Sequence, residues 1–144
     1  MVEIVQGRVD ATAPRRVKWG YAYYPELVIH TATGDRALAK VSAAGGVRDT
    51  IERGGEGTFY LSKHYGMLGV HGVKLPDGTK YYAHFNNFEK LMGALGVIAA
   101  ILLLMGLMGM EVPWLPIILG GGFGLYTIFA RKGRLENERL FHAA

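Results

Sequence analysis

From Leu91 to Ala130 the chain reads LMGALGVIAAILLLMGLMGMEVPWLPIILGGGFGLYTIFA, forty residues with one charge, Glu111, near the middle. A single span needs about 20 apolar residues to cross a hydrocarbon core of ~30 Å. The block therefore has the length of two spans, and Glu111 and Pro113 mark the only place for a turn. Burial of such a hairpin inside a soluble protein would require other material to cover both helices on all sides. A chain of 144 residues supplies too little of it. The expectation is a transmembrane helical hairpin over residues 88–130, with spans at about 91–110 and 112–130.

Lys and Arg near span ends favour the cytoplasm. Lys90 precedes the first span, Arg131, Lys132 and Arg134 follow the second, and the connection offers only Glu111. Both termini are expected on the cytoplasmic side of a bacterial inner membrane. Trp114 is expected at the outer interface, and Phe85, Phe88, Tyr126 and Phe129 at the inner one, as an aromatic belt. The opening residues, MVEIVQGRVDATAPRR, carry Glu3 and no apolar core, so they do not read as a secretory signal.

Small residues pattern both spans. Gly120 and Gly124 form a small-xxx-small pair that admits close helix approach. Gly93, Gly96 and Ala100 offer a matching stripe on the first span, and Gly106 and Gly109 a second one on another face. One stripe serves the hairpin itself. A remaining small face suggests packing against a second protomer or another protein. Pro113 and Pro116 fall in the first turn of the second span, where proline is tolerated.

Residues 1–86 have the mix of a small globular domain. Up to residue 90 there are 12 basic and 9 acidic residues, giving +3; the tail 131–144 has 4 and 2, giving +2; Glu111 brings the sum to +4. That is a mild excess, suited to a domain held beside anionic headgroups. The absence of cysteine excludes disulfides and thiolate metal sites.

Val17 to Tyr23 alternates in the two-residue period of a half-buried strand, interrupted at Pro25. Leu27–Thr31 resumes it, Thr33-Gly34-Asp35 signals a turn, and Arg36–Val41 returns. Glycines at 45–46 and 54–57 bracket a helical turn or loop. Thr58–Leu61, Met67–Leu75 and Lys80–Phe85 follow, the last two joined at Asp77-Gly78, a strong hairpin cue. A two-residue loop there pairs Val73 with Tyr82 and His71 with His84. With Glu3–Val9 this makes about six short strands. The expected fold is therefore an α+β membrane protein: an N-terminal antiparallel β-barrel or sandwich, OB- or SH3-like, before the transmembrane hairpin.

Few residues suggest chemistry. His71 and His84, with His64 if a bulge at Gly66 or Gly69 realigns it, are the metal candidates, and an ordinary histidine pair is the preferred reading. Aromatics among Lys and Arg (Trp19, Tyr21, Tyr23, Phe59, Tyr60, Tyr81, Tyr82) resemble base-stacking platforms of OB barrels. Membrane attachment and the small charge weigh against nucleic acid. Gly54–Gly57 lacks the Gly-Lys-Ser/Thr of a phosphate loop. Ser42 and Ser62 lack nucleophile-elbow context, and HExxH is absent. Glu111 at the turn reads as a solvated carboxylate, and the spans lack mid-depth polar groups for a path. No catalytic residue, cofactor or metal is expected.

The order of a β-domain followed by membrane helices resembles bacterial membrane proteins that couple a small OB- or SH3-like barrel to a short anchor. The function expected is a non-enzymatic inner-membrane scaffold or accessory subunit. Its partners would be lipid and either another protein or a second copy, through strand edges and glycine faces. The alternatives are a homo-oligomeric channel or transporter component, a tethered binder of nucleic acid or anionic ligand, and an enzyme on the β-domain. The tail 131–144 is expected as a cytoplasmic basic extension, with Leu135, Leu140 and Phe141 at the surface.

Overall fold

A computed structural model describes residues 2–64, 66–84 and 87–143, with the side chains of residues 64, 87 and 88 outside the description. The chain divides into two compact units, Met1–His84 with Gly133–Ala144, and Phe85–Lys132. The order is β1 (Val2–Val9), β2 (Arg16–Lys18), β3 (Tyr21–Thr31), β4 (Gly34–Ala44), α1 (Gly45–Glu52), β5 (Glu56–His64), β6 (Met67–Lys74), β7 (Lys80–Tyr82), α2 (Asn87–Leu107) and α3 (Trp114–Ala143).

Five strands close a barrel in the order β1-β5-β6-β4-β3, and β3 returns to β1 through Arg8↔His30 and Val9↔Ile29. Closure removes the exposed edges that a flat sheet would leave. Only β2, on β3, and β7, on β6, extend beyond the ring among the described residues. One pairing departs from the antiparallel expectation: β4 and β6 are parallel, Val41↔Leu68 to Ala43↔Val70. Parallel neighbours need a crossover, which α1 and β5 supply.

Val5, Val9, Tyr24, Leu27, Ile29, Val41, Phe59, Leu61, Val70 and Val73 are buried among the strands, all 4% exposed or less. α1 adds Val47 and Ile51 to the same core. Its end is a Schellman stop. Gly54 takes φ +69°, its N–H donates to Ile51 O, and the N–H of Gly55 donates to Thr50 O. Tyr24 is buried to its hydroxyl, which has no hydrogen-bond partner among the described residues. Desolvation, reinforced by Glu52, pushes that hydroxyl up to about 12.

Two turns differ from the sequence reading. Val17–Tyr23 is not one strand. Trp19 and Gly20 form a two-residue hairpin turn with φ +54° and +81°, pairing Lys18 with Tyr21. Tryptophan is no turn residue, so composition hides this reversal, and its left-handed backbone costs about 1 kcal/mol. β3 then runs through Pro25, whose missing N–H falls between the flanking pairs Tyr24↔Val41 and Glu26↔Ala39.

The β6–β7 hairpin forms as expected, with a different register. The N–H of Leu75 donates to Thr79 O, so the loop holds three residues, Pro76-Asp77-Gly78, with Gly78 at φ +86°. The N–H of Thr79 also donates to Asp77 Oδ1 at 2.8 Å, which holds that carboxyl below the ordinary carboxylate range. Val73 therefore faces Tyr81, and Tyr82 faces Gly72.

In the second unit, α2 ends in another Schellman stop at Gly109, φ +84°. The N–H of Gly109 donates to Gly106 O and the N–H of Met110 to Met105 O. α2 from Glu89 and α3 from Trp114 are both long and apolar enough to cross a membrane, and 11% of each apolar window is buried.

Candidate functional site

The barrel unit ends with a helical segment seated on its own wall. Tyr60, Gly72 and Tyr82 lie side by side on β5, β6 and β7. Gly72 leaves a notch between the two rings, and Phe141 fills it, its centroid 5.1 Å from Tyr60 and 5.0 Å from Tyr82. The Nζ of Lys74 lies 5.2 Å from the Tyr60 ring and 5.0 Å from the Phe141 ring. A desolvated ammonium on two aromatic faces is attracted by both ring quadrupoles. One and two turns before Phe141, Asn137 and Arg134 are 0% and 7% exposed. Arg134 pairs with Glu138 at 3.4 Å. The amide of Asn137 has no hydrogen-bond partner among the described residues.

Phe141 is thus 3% exposed, where a surface position was expected. Leu135 remains exposed. Helical spacing explains the difference, because Arg134, Asn137 and Phe141 share one face of α3. Arg134, expected as a membrane-interface anchor, belongs to this buried face of the barrel unit. Lys90, Trp114, Tyr126, Arg131 and Lys132 are exposed, Lys132 with its Nζ 5.7 Å from the ring of Phe129. The side chain of Phe88, the other expected anchor, lies outside the described residues, as does Phe85.

The three histidines do not form one site. Between Leu61↔Val70 and Tyr60↔Gly72 the register of β5 and β6 shifts, which makes His71 the extra residue of a bulge. Its carbonyl accepts the N–H of Ala83 at 2.6 Å. His71 therefore faces Ala83 rather than His84, and a slip of one residue turns His84 to the opposite side. His71 is fully buried, its ring over Gly69. His84 is half exposed, with its Nδ1 3.9 Å from Glu138 Oε1. The side chain of His64 lies outside the description. No group of three potential ligands from His, Cys, Asp and Glu comes together among the described residues.

Gly69 also pairs with Ser42 on β4 and Ser62 on β5. These serines are 4% and 1% exposed. Ser62 and His71 are sealed from solvent, so the arrangement admits no substrate to them. Sequence reasoning missed another histidine. His30 lies between two carboxylates, its Nδ1 2.6 Å from Asp35 Oδ1 and its Nε2 2.9 Å from Asp10 Oδ1. Its pKa is raised, mainly by Asp35 and then by Asp10. An open groove of about 490 Å³ between β1 and the β3–β4 turn is lined by Ile4, Gln6, Thr31, Asp35 and Arg36. Arg36 there is ion-paired to Glu3.

In the helical unit the glycines divide into two roles. A Cβ on Gly96 would lie 3.0 Å from Gly124 Cα, and one on Gly120 would lie 2.9 Å from Ala99 Cβ. Gly96, Gly120 and Gly124 therefore set the approach of α2 to α3. Ala99 takes the place expected of Ala100, which is exposed, because the stripe follows the i, i+3 spacing from Gly96. Gly106 faces Val112, Gly109 forms the helix stop, and Gly93 meets nothing within 4 Å. Gly121 and Gly122 also face open space.

Comparison with family models, with curated proteins and with solved structures finds no match.

Proposed function

We propose that this chain is a non-enzymatic scaffold or accessory subunit of a bacterial inner membrane, presenting an OB-type barrel to a protein partner at the cytoplasmic face. One observation carries the reading. The barrel unit has a closed core of its own, while α2 and α3 keep their apolar windows exposed, with 11% of each buried. A soluble protein would have to leave two helices of Leu, Ile, Val and Met in water, and a bilayer removes that cost.

The OB assignment is supported by connectivity. A five-stranded ring in the order β1-β5-β6-β4-β3, with a helix between β4 and β5, fits an OB-type Greek-key barrel. Orientation is supported by Lys90, Arg131 and Lys132 flanking the spans, with Glu111 alone at the connection. The channel reading gains nothing from the helices. Thr127, near the C-terminal end of the second span, donates its hydroxyl back to Phe123 O at 2.9 Å.

The chain has no cysteine, so single-cysteine variants test this topology cleanly. An impermeant maleimide should label Met110→Cys in intact cells, and Lys18→Cys and Ala143→Cys only after permeabilisation. Purification in mild detergent should bring down a stoichiometric companion protein. Labelling of Lys18→Cys in intact cells, or solubility without detergent, overturns the reading.

A further inference from the structure

Ala11 to Pro25 contains Arg15, Arg16 and Lys18 and no acidic residue. The stretch folds back on itself as the β2–β3 hairpin, an appendage on the closed ring. At its end Trp19 is 69% exposed, and Val17 beside it is 53% exposed. The tryptophan occupies a left-handed position, φ +54°, where asparagine or glycine is the ordinary choice. A large apolar side chain held in a strained turn and offered to solvent needs a reason beyond folding. The hairpin tip also has an unusual composition for a barrel surface, apolar at the end and cationic along the stem.

We propose that the tip of the β2–β3 hairpin docks on the anionic phospholipid surface of the bilayer in which the protein is anchored. The inference rests on the anchorage reading above. Indole and valine enter the boundary between headgroups and acyl chains, where tryptophan is favoured. Arg15, Arg16 and Lys18 meet lipid phosphates, each cation strengthening engagement about fivefold. A single-stranded nucleic acid is the competing occupant. The geometry favours lipid over it, because the Nζ of Lys18 lies 4.9 Å over the Trp19 ring and takes a face that a base would need. Tyr21 and Tyr23, the next rings along the hairpin, are half-buried.

The test uses the full chain with Trp114→Phe, which leaves Trp19 as the one remaining tryptophan of two. The protein is reconstituted in nanodiscs of phosphatidylcholine alone, or mixed with phosphatidylglycerol, each with brominated acyl chains. With phosphatidylglycerol, Trp19 emission should shift to the blue and be quenched by bromine. In phosphatidylcholine both effects should weaken. Lys18→Ala should reduce the engaged fraction about fivefold relative to the free fraction, with circular dichroism unchanged. Failure to enter nanodiscs, with solubility in plain buffer, would overturn the anchorage reading itself. Incorporation with water-like Trp19 emission in every lipid would overturn the hairpin proposal alone. Quenching by oligothymidylate but not by brominated phosphatidylglycerol would reassign the hairpin to nucleic acid and overturn it too.

Discussion

The ring of Phe141 rests on the backbone of Gly72. A Cβ built on that glycine would stand 2.6 Å from Phe141 Cδ2. The contact joins the last turns of α3 to the barrel wall, so the helix end belongs to the fold rather than to a free tail. Phe141→Ala should cost about 3 kcal/mol, and Gly72→Val about 1–3 kcal/mol by overpacking. Both should expose the segment after Gly133 to limited proteolysis. Because they remove one contact, the double variant should lose less than the sum, a coupling readable from thermal denaturation.

His30 closes a different seam. Arg8↔His30 and Val9↔Ile29 are the only described pairs joining β1 to β3, and the imidazole bridges Asp10 to Asp35 across it. Both ring nitrogens face carboxylates, an arrangement that favours the imidazolium. The folded pKa lies above the ordinary 6.5. The stabilisation is therefore fully present below pH 6.5 and is lost as pH rises through the folded pKa. In an NMR titration the His30 midpoint should lie above 6.5. Asp35→Asn should lower it more than Asp10→Asn, since Asp35 is the larger cause. A midpoint unmoved by either substitution would refute the clamp.

Tyr24 carries a hydroxyl into the core without a hydrogen-bond partner among the described residues. Removing an unsatisfied buried group relieves a desolvation penalty. Tyr24→Phe should therefore leave stability within about 1 kcal/mol of the parent or raise it. Tyr24→Ala should cost about 3–5 kcal/mol through the cavity left behind. Denaturant midpoints separate the two outcomes.

The strained turn at Trp19 makes an opposite prediction for stability. Trp19→Asn suits a two-residue hairpin with left-handed backbone. It should stabilise the barrel by about 1 kcal/mol, seen as a rise in Tm. A fall in Tm would mean that the indole packs on the barrel more than its exposure of 69% implies.

What the residues disclosed beforehand was mostly periodic. The apolar run from Leu91, the β-favouring stretch Leu27–Thr31 and the Asp77-Gly78 turn all act over a few neighbouring positions, and each led to its element. The misreadings came from effects that act elsewhere. Pro76 shares the loop with Asp77 and Gly78, so the register moved by one and separated His71 from His84. Trp19 has no turn propensity, yet Gly20 and the pairing of Lys18 with Tyr21 reverse the chain there. Phe141 looked like a surface residue because its notch is made by Tyr60, Gly72 and Tyr82, distant in sequence. The His30 clamp could have been suspected from Asp35, five residues on across a turn, but Asp10 arrives only through barrel closure.

The glycines of the hairpin give the last prediction. Gly120 and Gly124 point at Leu95, Gly96 and Ala99, so they are consumed within the chain. Gly120→Leu should pry α2 from α3, because its side chain would meet the carbonyl of Leu95, 2.7 Å from the Cβ position. In detergent, thermal denaturation of the helical unit should then show a lowered midpoint. Gly121 and Gly122 have open space around them, so Gly121→Leu and Gly122→Leu should leave that midpoint unchanged. If this small face receives a helix from another chain, as close approach at glycine permits, these two variants should lose the assembled band on native gels while still inserting. An assembled band unchanged in both would assign lateral association to some other surface.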